Sequence, residues 1–196
     1  VGAGAGDAIT TGAQNTVLGS AALSALTTAT RNTAVGYLAL AAATNDDNTA
    51  VGTQALGNNT SGYYNVGLGY LAGSAITTSN SNTAIGTFAL QATTTASSNT
   101  AVGTSALTAN TTGEYNVAVG AIAGDAITTG SVNTAVGYNA LSTATTASGN
   151  TALGAQALAV ATTGASNTAV GQNAGVAVTT GANNTAVGAA AGDALT

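Results

Sequence analysis

The chain has 196 residues and a formal net charge of −5, with one Arg, six acidic residues and no Lys, His, Cys, Pro, Met or Trp. Only 4% of its residues are charged, whereas typical soluble domains carry about 25%. Without His or Cys, and with few carboxylates, the chain lacks the residues of most metal sites and most nucleophile–base pairs. A single Arg offers no phosphate-binding surface. We therefore expect no enzymatic activity, no metal or other cofactor, and no nucleic-acid partner.

The chain contains no uninterrupted apolar run near 18 residues, so we expect no membrane span. It begins without Met or a signal peptide, and both Val1 and Thr196 fall in the middle of a sequence repeat. We expect the sequence to be a segment of a longer rod.

A repeat that begins with Asn, of the form Asn-Thr-Ala-Val-Gly, fills the chain. Nine of the ten intervals between these Asn residues are 17 residues long, and the interval from Asn32 to Asn48 is 16. We number repeat positions from this Asn. The eleven Asn residues at position 1 are Asn15, Asn32, Asn48, Asn65, Asn82, Asn99, Asn116, Asn133, Asn150, Asn167 and Asn184.

Four further positions are uniform in all twelve repeats. Position 4 is aliphatic, position 5 is Gly, position 8 is Ala and position 13 is Thr. Examples are Gly36, Gly86 and Gly137 at position 5, Ala39, Ala89 and Ala140 at position 8, and Thr94 and Thr128 at position 13. No linker interrupts this register, so residues 1–196 are predicted to form a single continuous array.

A unit of 17 residues is too short for helix-pair repeats, which need more than about 30. The recurrent Gly, Thr, Asn and Val also lower helix propensity. We predict an all-β parallel β-solenoid with 17 residues per coil and about 11.5 coils. Each coil is expected to hold a short strand, a turn at Gly, a second short strand and a polar Thr-Thr-Gly turn. Stacking at about 4.8 Å gives a rod about 55 Å long.

In a solenoid, the same position in successive coils forms a ladder along the rod. The position-1 Asn residues are expected to hydrogen-bond to one another, and Gly at position 5 fits a turn with positive φ or a close backbone approach. Ala at position 8 implies room for one methyl group. We expect position 4 to form the main interior row, together with position 2, because the two positions share a strand face.

Positions 9 and 12 vary together. Five repeats have Gly at position 9 and an aliphatic residue at position 12, namely Gly6 with Ile9, Gly73 with Ile76, Gly124 with Ile127, Gly175 with Val178, and Gly192 with Leu195. The other seven have Leu at position 9, and six of these have a smaller or polar residue at position 12. We infer that the two positions fill one volume. We also expect Leu and Ile at these positions to supply a seam between subunits.

Charged residues are too sparse to suggest a mechanism. Arg31 and Asp47 each precede a position-1 Asn in adjacent coils, so we expect them to form an exposed ion pair. Asp7, Asp125 and Asp193 follow Gly in a turn, but calcium-binding β-rolls carry acidic residues in every coil. We expect these carboxylates to be solvated.

Two ligand-binding alternatives remain open from the residues. Tyr37, Tyr70 and Tyr138 share position 6, where exposed rings could contact glycans or a host surface. The Thr row at position 13 could order water on an ice crystal, or could simply supply turn residues and a hydroxyl ladder.

Residues 133–141, Asn-Thr-Ala-Val-Gly-Tyr-Asn-Ala-Leu, and residues 82–86, Asn-Thr-Ala-Ile-Gly, resemble known fibre repeats. They are similar to the head repeats of trimeric autotransporter adhesins. They are also similar to arrays in bacterial and phage tail-fibre-like proteins that end in an endosialidase-type chaperone domain. The resemblance implies a left-handed β-roll, a homotrimeric fibre and an extracellular role in attachment at a cell surface or in a virion appendage.

Overall fold

The computed structural model describes residues 2–193, which form a parallel β-solenoid with one strand per coil. Neighbouring strands pair in sequence order within a single eleven-stranded sheet, and identical repeat positions face each other. The all-β solenoid prediction is therefore confirmed. The strands β1–β11 are Thr16–Leu18, Thr33–Val35, Thr49–Val51, Val66–Leu68, Thr83–Ile85, Thr100–Val102, Val117–Val119, Thr134–Val136, Thr151–Leu153, Thr168–Val170 and Thr185–Val187.

The 16-residue coil keeps the same register as the others. Thr33 pairs with Thr49 and Val35 with Val51, so the missing residue changes only the polar turn between β2 and β3. The Thr44 amide donates to the Thr60 carbonyl at 2.9 Å, which is consistent with a deletion after Thr44. Val1, Leu195 and Thr196, which were assigned to repeat positions 4, 12 and 13, lie outside the described residues.

The predicted second strand of each coil is wrong. Positions 6 to 11 form consecutive turns, and the residues at positions 7 and 9 adopt left-handed φ values, such as 55° at Leu38 and 49° at Leu40. A β-strand does not contain such residues. The turns are held instead by hydrogen bonds between coils, as from the Leu40 amide to the Ala55 carbonyl at 3.1 Å.

Gly at position 5 has both properties expected from the sequence. Gly86 has a φ of 131°, and a Cβ built on it would lie 2.5 Å from the carbonyl oxygen of Gly103 in the next coil. Gly36 and Gly137 have the same conformation and the same close contact. No L-amino acid side chain fits this stack, which explains why the position is Gly in every coil.

The position-1 Asn residues form a buried hydrogen-bonded ladder, as predicted. Each Asn Oδ1 accepts a hydrogen bond from the backbone N–H of the next Asn, for example from Asn133 to Asn116 at 3.0 Å. Each Nδ2 from Asn15 to Asn167 donates to a turn carbonyl of the next coil, as from Asn116 to Gly130 at 2.8 Å. The ladder ties every strand to the turn that precedes the next one.

The core is narrow and consists mainly of Ala and Leu. Ala at position 3 of the strand and Ala at position 8, including Ala39, Ala89 and Ala140, are buried. The largest buried side chains come from position 9, as at Leu40 and Leu107, or from position 12, as at Ile76 and Ile127. Close packing across so small an interior explains the uniform methyl-sized residues.

Candidate functional site

The outward face of the sheet is the most distinctive surface of the rod. Position 3 points into the core, so positions 2 and 4 of every strand point outward, and the expectation that position 4 forms the interior row is wrong. Leu68 is 44% exposed and Leu153 is 45% exposed, while Ala at position 3 is at most 6% exposed. An aliphatic row thus runs along the outside of the sheet.

This row is continuous and uncharged along all eleven described strands. Its members are Leu18, Val35, Val51, Leu68, Ile85, Val102, Val119, Val136, Leu153, Val170 and Val187, each of which is exposed or partly exposed. Position 2 beside it is Thr except at Val66 and Val117, and position 6 carries no charged residue in any coil. We call the outward surface formed by positions 2 and 4 the apolar face.

The large side chains at positions 9 and 12 are buried, in contrast to the exposed row at position 4. They were expected to supply a seam between subunits, but Leu40, Leu107, Ile76 and Ile127 are all buried within the chain. The seam prediction for these positions is wrong because their side chains fill the core. Their assignment to one shared interior volume holds where position 9 is Gly, since a Cβ on Gly124 would lie 3.0 Å from Cδ1 of Ile127. The coil of Leu23 and Leu26 is the exception, because both side chains are buried there.

The three Tyr residues at position 6 flank the apolar face. Tyr37, Tyr70 and Tyr138 are about half exposed. Tyr70 packs edge-to-face with Phe88 of the next coil, with ring centroids 5.5 Å apart. Tyr138 lies four coils further along the rod, and a spacing of about 4.8 Å per coil separates it from Tyr70 by about 19 Å. The structure gives these three rings no common cleft, and glycan binding by them stays a prediction.

The Thr row at position 13 is hydrogen-bonded along the rod. The Thr128 hydroxyl donates to the Thr145 carbonyl at 3.0 Å, and the equivalent bond is present at Thr60 and Thr162. The Thr94 backbone amide donates to the Thr111 carbonyl at 3.4 Å. These bonds show a hydroxyl ladder that links coils, and an ice-binding role for the row stays a prediction.

The ion pair predicted at the short coil is present. Arg31 contacts Asp47 through two bonds, Nε to Oδ1 at 2.6 Å and Nη2 to Oδ2 at 2.8 Å. The guanidinium hydrogen bonds hold the pKa of the Asp47 carboxyl below its usual value. Arg31 also reaches Asp46 at 3.3 Å, a contact that the sequence did not predict.

Asp125 departs from the expectation that the turn carboxylates are solvated. Its Oδ1 is buried and has no hydrogen-bond partner. Desolvation raises the pKa of this carboxyl above its usual value, against a smaller opposing effect of backbone amides. Asp7 occupies the same repeat position in an identical Gly-Asp-Ala-Ile sequence and is exposed, so sequence alone could not distinguish the two.

Within residues 2–193 there is no group of three or more His, Cys, Asp or Glu side chains arranged to hold a metal ion. The same part of the chain contains no helix with the length and apolarity needed to cross a bilayer. Comparisons with protein-family models, with curated proteins and with solved structures found no match.

Proposed function

We propose that this chain is a structural segment of a fibre in which copies of the chain pack through the apolar face. The observation that carries this proposal is the continuous aliphatic row at position 4 from Leu18 to Val187, exposed on an uncharged sheet. Monomeric soluble proteins seldom expose contiguous apolar patches larger than a few hundred Å². Such a surface is typical of an interface.

The size of the face supports a second copy as its occupant. Ten intervals of about 4.8 Å between the eleven strands give a length of about 50 Å. Positions 2 to 4 span about 10 Å, so the apolar face itself covers about 500 Å², and the strand with one flanking residue on each side covers about 750 Å². A standard interface takes about 800 Å² from each partner.

Matching periodicity also favours self-association. Two copies of the rod present aliphatic side chains at the same spacing of about 4.8 Å, so contacts made in one coil can be repeated in every coil. A homotrimer with three apolar faces directed towards a common axis satisfies this condition, and it is the assembly implied by the resemblance to adhesin heads. Each chain then covers the rows of its two neighbours.

The interior suits a mechanical role. Every coil is joined to the next by strand pairing, by turn hydrogen bonds and by the Asn ladder, without a long loop. The proposed function is to extend a fibre and present a repetitive surface, outside the cell at a cell surface or in a virion appendage. Adhesion to a host surface or glycan is compatible with this role, and no catalytic activity is proposed.

The assembly is tested by placing a charge in the apolar face. Val119→Asp should convert the purified oligomer to a monomer, because a carboxylate cannot be buried between copies without a partner. Thr129→Asp is the matched control, since Thr129 is exposed in the polar turn outside the apolar face. Molar mass is measured by light scattering coupled to size-exclusion chromatography. The proposal is wrong if the unmodified chain is a stable monomer at high concentration, or if both variants assemble normally.

A further inference from the structure

The turn of the 16-residue coil lines a cleft together with side chains from the two adjacent coils. The cleft has a volume of about 250 Å³. It is lined by Arg31 from one coil, by Asn45, Asp46 and Asp47 from the short coil, and by Tyr63 and Tyr64 from the next coil. The only cation of the chain, two of its six carboxylates and two of its six Tyr residues therefore meet in one place. We propose that this cleft binds a neutral saccharide.

Hydrogen bonds within the chain hold the polar groups of the cleft in place. Asp46 Oδ1 accepts the Thr30 backbone N–H at 2.8 Å, and Asp46 Oδ2 accepts Arg31 Nη2 at 3.3 Å. Arg31 Nη1 donates to the Thr30 hydroxyl at 2.9 Å. A carboxylate has about four acceptor sites, so Asp46 keeps acceptor capacity for sugar hydroxyl groups. An ordered acceptor of this kind lowers the entropy cost of binding.

The aromatic side of the cleft supplies an apolar surface. Tyr63 and Tyr64 pack edge-to-face, with ring centroids 5.0 Å apart and planes at 80°. Tyr64 is 59% exposed, so the side chain is accessible to a ligand. Sugars combine hydroxyl groups with an apolar C–H face, and a cleft that pairs a Tyr ring with a carboxylate matches both properties.

The charge of the cleft favours a neutral ligand over an anionic one. Arg31 and the two carboxylates carry a net charge of −1, obtained as +1 −2. Four of the five guanidinium N–H groups are already directed to Asp47, Asp46 and the Thr30 hydroxyl. Arg31 is therefore engaged in orienting the carboxylates and is not free to pair with a carboxylate or sulfate on a sugar.

The ligand class is tested with methyl β-D-glucoside, methyl β-D-galactoside, methyl α-D-mannoside and methyl N-acetyl-β-D-glucosaminide. Binding to the purified full chain is followed by saturation-transfer difference NMR. We expect at least one of these neutral glycosides to bind. Methyl β-D-glucuronide, which differs from the glucoside by a carboxylate, should bind at least tenfold more weakly than the best neutral probe. Tighter binding of the glucuronide, or no binding of any neutral probe, would overturn the proposal.

The site is tested with a matched pair of Tyr variants. Tyr64→Ala should weaken binding at least tenfold, while Tyr64→Phe, which keeps the ring, should retain most of it. Tyr115→Ala is the control, because Tyr115 occupies the same repeat position with a φ of 57° against 58° and an exposure of 60% against 59%, but lies outside the cleft. Equal effects of the two Ala variants, or an unchanged affinity of Tyr64→Ala, would place binding elsewhere. Asp46→Asn should also weaken binding, and circular dichroism melting of each variant checks that the rod is intact.

Discussion

Gly73 and Ile76 share one interior volume. A Cβ built on Gly73 would lie 3.0 Å from Ile76 Cδ1 and 2.8 Å from Leu56 Cδ2 of the preceding coil. In the coil that contains Leu40, the same volume is filled from position 9, and Ala43 stands at position 12. The backbone is the same in both cases, with a φ of 59° at Gly73 and 49° at Leu40. The core of a coil is thus closed by a large side chain from either of two positions, except in the coil of Leu23 and Leu26, where both positions carry a buried Leu.

This relationship predicts a rescue between two substitutions. Gly73→Leu alone should destabilise the chain by about 1–3 kcal/mol because it overpacks the core. Ile76→Ala alone should cost about 2–5 kcal/mol because it opens a cavity. The double variant restores the combination found at Leu40 and Ala43, so its loss of free energy of unfolding should be smaller than the sum of the two single losses by more than about 1 kcal/mol. Urea denaturation of the four proteins measures this coupling, and strictly additive losses would show that the two positions do not share a volume.

The Asn ladder predicts a large effect from a single polar residue. Asn116→Ala should destabilise the chain by about 2–4 kcal/mol, because it leaves the Asn133 N–H and the Gly130 carbonyl buried without their partners. Denaturation by urea checks the loss, and hydrogen exchange should show faster exchange at the Asn133 amide. Asn15→Ala is the matched control at the end of the ladder, where the side chain is only partly buried, so its cost should be smaller. Equal losses of unfolding free energy in the two variants would mean that burial does not increase the contribution of a ladder Asn to stability.

The sequence predicted the coil, its register and its ladders because each of these depends on a residue type that recurs at a fixed interval. A repeated Asn at position 1 predicts a hydrogen-bonded ladder, and a repeated Gly at position 5 predicts a turn with positive φ or a close backbone approach. The structure has both features. The ion pair of Arg31 with Asp47 followed in the same way, from two charged residues one coil apart.

The assignment of faces failed because a two-residue period shows which strand positions share a face, but not which face is buried. The aliphatic residues at position 4 favoured the wrong choice. A usable signal was present at position 3, which is Ala in every described strand except for Val17 and Gly67, as a narrow interior requires. The outward position 4 is Val, Leu or Ile. Position 4, which was expected to line the interior, is therefore exposed, and positions 9 and 12, which were expected to form a seam between subunits, fill the core.

The turns at positions 6 to 11 were not predictable from local preference. Residues such as Leu38 and Leu40 adopt left-handed φ values that cost an L-amino acid about 1–2 kcal/mol each. Hydrogen bonds to neighbouring coils hold the conformation, so it arises from stacking and not from the sequence of one repeat. The cleft at Arg31 has a similar origin, since it requires side chains from three successive coils.

The burial of the Asp125 carboxyl predicts that the stability of the fold depends on pH. Burial raises the pKa of the Asp125 carboxyl in the folded chain above its unfolded value, so the folded state binds the proton more tightly than the unfolded state. This carboxyl therefore destabilises the fold above its folded pKa, and the penalty disappears as the pH falls through that value towards the unfolded pKa. Asp125→Asn removes the charge, so it should raise the melting temperature at pH 7 and have less effect once the carboxyl of the unmodified chain is protonated.

Asp7→Asn is the matched control for this prediction, because Asp7 has the same neighbours in sequence and an exposed side chain. It should leave the melting temperature at pH 7 nearly unchanged. Thermal melts of both variants and of the unmodified chain from pH 7 to pH 4, followed by circular dichroism, separate the two sites. A gain at pH 7 that is the same for Asp7→Asn and Asp125→Asn would point to the net negative charge of the rod as its cause, and not to the unpaired buried oxygen of Asp125.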